Sequence, residues 1–246
     1  MTWAAERLFS VLYGAPGHPW PDAATAWAQL IGTAPASTTN TGVPAHQMAG
    51  QVVASSTSMG ALEGFQVQIV GSSNRFDFVL LPAPSGPNLP ADIDDLQRAA
   101  GVLRRLTRKA AASYVPRRVA YVHTLVEKAP DAAVASQRVV ELLGGFPLTD
   151  ALEPNVQFNA PCVMPGGWVM NRVLRWAAVK EQVVVFNALT PGAPFGIETR
   201  DVVQFVIDLS TVDQPAPFEA ELVADRLAAL ESELDLLTDK GFERLQ

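Results

Sequence analysis

The sequence predicts an α+β protein built as two similar halves of antiparallel sheet, with helices packed on one side. Three observations lead there. An order of elements occurs twice, as β-α-β-β-β-α over residues 5–113 and as β-α-β-β-β-β-α over 117–240. Strand-like segments within each half are joined by short turns. Each half closes on a long helix with an apolar stripe. This gives an N-terminal α+β half, residues 1–115, and a C-terminal α+β half, residues 116–246. The two share element order and no residue-level identity.

In chain order, Ala5 to Tyr13 reads as a strand with Leu8, Val11 and Leu12 inward, a short helix being the rival reading. Breakers from Gly14 to Pro21 follow, and Asp22 starts a helix carrying Ala26, Trp27, Leu30 and Ile31 at helical spacing. Gly32–Gly50, rich in Thr, Ser, Ala, Pro and Asn, reads as an irregular loop. Strands are expected at Gln51–Ser56, Phe65–Val70 and Arg75–Leu81, the last two joined by a hairpin turn at Gly71–Asn74. Asp92 begins a helix to about Ser113 with Ile93, Leu96, Ala100, Leu103 and Leu106 as its stripe.

The second half opens with a strand at Arg117–Glu127 and a helix at Asp131–Leu143, which Gly144-Gly145 stops because glycine tolerates the left-handed conformation. Four strands are expected next: Val156–Val163, Trp168–Ala178, Gln182–Leu189 and Val202–Leu209. Pro165-Gly-Gly167 separates the first pair, and residues 190–196 form a longer connection. Pro217 opens a final helix to about Lys240.

Composition bounds the function. The chain has 246 residues, 48% of them hydrophobic and 17% charged, which is globular and favours an oligomer or a partner surface. Its net charge of −7 argues against the whole molecule binding a polyanion. Cys162 is the single cysteine, so no intrachain disulfide or cysteine-cluster metal site forms. The expected location is the cytoplasm: no secretory signal is read and no apolar run spans a membrane.

The sharpest charge feature is a basic block: Arg98, Arg104, Arg105, Arg108, Lys109, Arg117 and Arg118, with no acid between Leu96 and Val126. Arginine presents a planar fork to anionic oxygens, so the block is a candidate anion or nucleic-acid surface. A solvated helix face, or charge pairing with acids elsewhere, explains it equally well. In Trp168–Trp176, alternation places both tryptophans on one face with Arg172 midway, a candidate for stacking on a planar ligand; Arg175 points the other way. Ordinary cross-strand packing is the competing reading.

The histidines, His18, His46 and His123, show no ligand spacing, so no metal and no cofactor are expected. Cys162 reads as a small core residue; a nucleophilic role needs a base such as His123 beside it. Asp92, Asp94 and Asp95 read as a helix start, and Asp208 as a carboxylate in an otherwise apolar strand. Phosphate-binding loop, nucleophile-elbow and dinucleotide motifs are absent, so no catalytic residue is assigned. In the last helix Val223, Leu227, Leu230, Leu234 and Leu237 form a narrow seam. Packing on the chain's own sheet is the default reading of this seam, which is also the candidate protein interface.

Arg118-Val-Ala-Tyr-Val-His-Thr, the following helix, Val202-Val-Gln-Phe-Val-Ile-Asp-Leu-Ser and the acidic, leucine-rich terminal helix together resemble a family of bacterial proteins. The family is uncharacterised, sporadically distributed and of similar length. The resemblance implies transfer with mobile or defence-related gene clusters and carries over no catalytic residue. The second half also resembles TATA-binding-protein-like and helix-grip folds in element order, folds that bind nucleic acid, proteins or apolar ligands. The expected function is a non-enzymatic binding or assembly subunit, with a protein partner or a second copy. A nucleic-acid accessory role and a small-ligand or enzymatic pocket between sheet and helix are the alternatives.

Overall fold

The computed structural model describes residues 3–16, 20–41, 55–72, 74–83, 92–144, 152–185 and 196–245. The elements are β1 (Ala4–Tyr13), α1 (Ala23–Ile31), β2 (Ser37–Thr41), β3 (Ser55–Leu62), β4 (Phe65–Ser72), β5 (Arg75–Pro82) and α2 (Leu96–Tyr114), then β6 (Arg118–Ala129), α3 (Ala132–Leu142), β7 (Asn155–Asn159), β8 (Cys162–Val163), β9 (Val169–Val185), β10 (Gly196–Thr211) and α4 (Ala220–Lys240). They build one antiparallel sheet in the order β2-β3-β4-β5-β1-β6-β10-β9-β7, with β8 continuing the β7 edge along β9. Outward from the central β1–β6 pair the chain runs β5, β4, β3 on one side and β10, β9, β7 on the other. Each half thus puts its first strand at the centre and its last strand next to it. The expected boundary at 115/116 falls between α2 and β6.

Side chains alternate across each strand, so the register fixes which residues share a face. Leu8, Ser10 and Leu12 of β1 lie in rows with Leu80, Phe78 and Phe76 of β5 and with His123, Tyr121 and Val119 of β6. Those rows continue through Ile207 and Leu209 of β10 to Leu174 and Arg172 of β9. All four helices attach to this face. In α1, Trp27 lies over Gly60, where an added Cβ would come within 2.7 Å of the indole. In α2, Thr107 hydrogen-bonds Ser10 at 2.6 Å. In α3, Arg138 pairs with Glu127, and in α4, Glu231 accepts from Tyr121.

Sequence signals account for the helix starts. Asp22, Asp95 and Asp131 each cap a helix by accepting from the backbone N–H three residues on, in Thr25, Arg98 and Val134. Such a cap contributes about 1 kcal/mol. The core beneath the helices is continuous from Trp27 to Leu237. Its densest aromatic contact stacks Trp176 on Phe205, with centroids 4.4 Å apart and planes 12° from parallel. Each such fully buried side chain contributes roughly 1.5–3 kcal/mol.

Several boundaries differ from the sequence reading. Gly32–Gly50 contains a strand, β2, whose Ser, Thr and Asn side chains are all exposed. It offers no apolar alternation to read, and forms because β3 lends it an open edge. Of the strand expected at Gln51–Ser56, residues 51–54 lie outside the described residues, and β3 is described over Ser55–Leu62, past the expected end. Trp168–Ala178 and Gln182–Leu189 are not separate: β9 continues through Lys180 and Glu181 to Val185. Val156–Val163 is broken by Pro161 into β7 and β8. Residues 186–195, Gly145, His18 and His46 lie outside the described residues.

The opposite face carries no helix among the described elements. Its central rows hold Phe9, Val79, Val122, Val173 and Asp208. Burial pushes the Asp208 carboxyl above its ordinary value, more strongly than Arg118 pulls it down.

Candidate functional site

Helices α2 and α4 run antiparallel over the centre of the sheet and are fastened by charge. Arg104 holds Asp235 through both guanidinium NH groups. One turn on, Arg108 pairs with Glu231. From the sheet below, the Tyr121 hydroxyl donates to Glu231 at 2.9 Å. Glu231 is only 4% exposed, and these donors satisfy the oxygens of a carboxylate that water barely reaches. Burial works against the charge on Arg104, but Asp235 and Glu231 outweigh it and raise its affinity for the proton.

Beyond this clamp a cleft of about 1010 Å³ opens between the N-terminal end of α2 and the C-terminal end of α4. Its floor includes His123, placed there by the alternation of β6 in a face otherwise made of Val119, Tyr121 and Leu125. The imidazole is 3% exposed, and its Nδ1 has no hydrogen-bond partner among the described residues. Burial first, and the positive charge of Arg104 second, push its pKa down from 6.5 to about 3. At neutral pH the ring is therefore uncharged, one nitrogen donating and the other accepting.

Trp3 forms one wall, its ring 5.9 Å from that of Phe205, and Leu96, Ala100 and Leu236 supply apolar lining. Asp94, Asp95, Asp235 and Asp239 line the cleft as well, with the polar Gln97 and Thr238. Arg104 is the only cation among the described lining residues, and Asp235 already takes it. Across the described residues no three His, Cys, Asp or Glu side chains converge as metal ligands.

The residues singled out in the sequence are distributed differently. Every member of the basic block is engaged within the chain. Arg98 donates to the Glu63 carbonyl at 2.8 Å, and Arg105 pairs with the Glu63 carboxylate at 2.5 Å. Lys109 donates to the Leu30 carbonyl, Arg117 pairs with Asp213, and Arg118 reaches Ser210 while lying over the Tyr13 ring. Arg104 and Arg108 form the α2–α4 clamp.

Trp168, Arg172 and Trp176 do not make one stacking site. Trp168 takes Arg226 over its face at 4.2 Å, while Trp176 is buried on Phe205. Arg172 spends its guanidinium on Glu233 and on the Ala160 carbonyl. Arg175, on the opposite face, donates to Gln204. Val223, Leu227, Leu230, Leu234 and Leu237 are all 4% exposed or less, so the seam is core packing of α4 on its own sheet. Cys162 lies three strands across and four residues along from His123, about 20 Å by strand spacing and rise, too far for a thiolate–imidazole pair.

Of the three aspartates at the helix start, Asp95 alone caps α2. Asp92 instead anchors Arg200 through two hydrogen bonds and also meets Lys128. Burial raises its pKa, yet those two cations outweigh it and the net direction is down. Trp3, Asp94, Asp235 and Asp239 meet only because α2 and α4 converge, a pairing across more than half the chain that local sequence does not announce.

No family model, curated protein or solved structure matches the chain. No helix of the described structure is long and apolar enough to cross a membrane.

Proposed function

We propose that the protein is a binding protein whose ligand enters the α2–α4 cleft and is read by His123. The observation that carries this is the unpartnered Nδ1 of a side chain 97% buried at the cleft floor. Leaving such a group unpaired costs about 1–3 kcal/mol, a cost that needs an offset; Ser10, Tyr121 and Arg172 on the same face all have partners. That nitrogen has no surface open to the cleft as the ring stands, so a turn of the ring that brings it to a ligand's hydrogen-bonding group supplies the offset. The volume suits a small organic molecule, since such sites are concave, mostly apolar and equipped with a few placed polar groups.

This keeps the expected non-enzymatic binding role and changes what is bound. The leucine seam that pointed to assembly is used inside the chain, and the basic block is spent on internal carbonyls, carboxylates and, for Arg118, the Ser210 hydroxyl and the Tyr13 ring. A neutral imidazole with a pKa near 3 is a positioning and hydrogen-bonding group, poorly suited to donating a proton at neutral pH.

Native mass spectrometry of protein purified without harsh washing tests the reading. A bound small molecule on the wild-type protein that is lost from a folded His123→Leu variant supports it. Equal retention by both proteins, or no adduct and no response of His123 to a broad metabolite extract, overturns it.

A further inference from the structure

The geometry points to a ligand of the polyamine class: an aliphatic chain carrying two or more ammonium groups, laid along the α2–α4 cleft above His123. The inference rests on the cleft being a binding site and adds the chemistry of its occupant.

Carboxylates stand on both helices at the cleft, Asp94 and Asp95 at the start of α2 and Asp235 and Asp239 near the end of α4. Asp235 is spent on Arg104, and Asp95 partly on capping α2. Asp94 and Asp239 are exposed and have no ion-pair partner among the described residues. The cleft is therefore acidic with its single cation neutralised. The two helix ends at the cleft carry opposite partial charges, so the carboxylates set its sign.

The same lining carries Trp3, Leu96, Ala100 and Leu236, which suits methylenes, and an indole face also attracts ammonium groups. The imidazole that reaches the lining is neutral, so it sets no positive charge against an ammonium group. Acids from both helices in one lining with apolar side chains match ammonium groups joined by methylenes. A single metal ion fits poorly, because no three ligating side chains converge among the described residues. An anion would meet the carboxylates without a free cation to receive it.

The test is a titration of the intact protein, followed by NMR of the His123 imidazole and the Trp3 indole. The probes are spermidine, the uncharged diol 1,8-octanediol and the dianion suberate, at equal concentrations. Spermidine is expected to shift both residues saturably. Asp94→Asn with Asp239→Asn should weaken it about tenfold, as should raising salt from low to several hundred millimolar, since exposed charge contacts are screened. His123→Gln, which keeps a hydrogen-bonding side chain, should retain part of the affinity that His123→Leu loses.

If spermidine leaves His123 and Trp3 unmoved while the diol or the dianion shifts them, the polyamine assignment is overturned and the binding site stands. If none of the three probes nor a metabolite extract moves either residue, both fall. Spermidine shifts confined to exposed carboxylate-bearing residues, with His123 silent, also overturn the assignment.

Discussion

His123 and Leu8 face each other across the β1–β6 seam, an imidazole and a leucine side by side in one row of the helix-bearing face. Leu8 is fully buried and makes the contacts expected of its position. His123 occupies the equivalent place on the neighbouring strand with a ring nitrogen unpaired. The contrast sets an unpaired ring nitrogen beside a fully apolar neighbour, a polar group kept at a cost in stability.

Acid should expose that cost. His123 titrates near 3 in the fold, against 6.5 for an ordinary histidine. Between those values the unfolded chain carries a proton that the folded chain excludes, so stability falls as pH drops through the window, by about 1.4 kcal/mol per unit. Carboxylates titrate at its lower end as well, so the informative quantity is the difference from His123→Leu. Urea unfolding at pH 7, 6, 5 and 4 should show the variant's advantage widening as pH falls. A constant difference would mean that His123 protonates freely in the folded protein.

The α2–α4 clamp makes a second prediction. Glu231→Ala leaves Tyr121 and Arg108 without their common acceptor. Removing one partner of a buried pair costs about 3–5 kcal/mol, and the lower end applies because Arg108 is 58% exposed and can return to water. Adding Tyr121→Phe should recover part of the loss, because it removes the orphaned hydroxyl. A double-mutant cycle by chemical denaturation reads this coupling.

Arg104 and Arg105 are neighbours in sequence but should behave differently. Arg105→Ala removes an exposed pair with Glu63 and should change stability by less than about 0.5 kcal/mol. Arg104→Ala releases Asp235 and loosens the cleft, and should cost clearly more and alter the Trp3 fluorescence. Suppose instead that Arg104→Glu with Arg105→Glu leaves thermal stability intact while abolishing low-salt binding to nucleic acid. The basic block would then be an anion surface after all.

Leu230→Ser with Leu234→Ser separates core from interface. Both leucines are fully buried on the sheet, and truncating each costs about 2–5 kcal/mol, with a further cost for burying a hydroxyl. The double variant should lose its cooperative unfolding transition. A stable, soluble monomer from a wild-type dimer would show that the seam faces a partner.

Much of the architecture was legible because period and punctuation are local signals. The caps at Asp22 and Asp131, the stripe of α2 and the closing helix α4 fall within a few residues of their expected places. Elements without an apolar code were not legible: β2 is polar throughout, and β9 keeps its pairing through the charged Lys180–Glu181 because β10 holds it there. The site was the least visible part. Arg104 and Asp235 are 131 residues apart, so nothing near the basic block shows that its charge is already taken. The one local hint was a lone histidine among Val119, Tyr121 and Leu125, and its meaning depends on whether a partner lies above it.

The most direct measurement is the equilibrium stability of His123→Leu at neutral pH, without added ligand, set beside its binding of the wild-type protein's ligand. The account predicts a variant that is folded, more stable than wild type by about 1 kcal/mol, and unable to bind. A variant less stable than wild type, or one that binds as well, would show that His123 serves the core and would contradict the account.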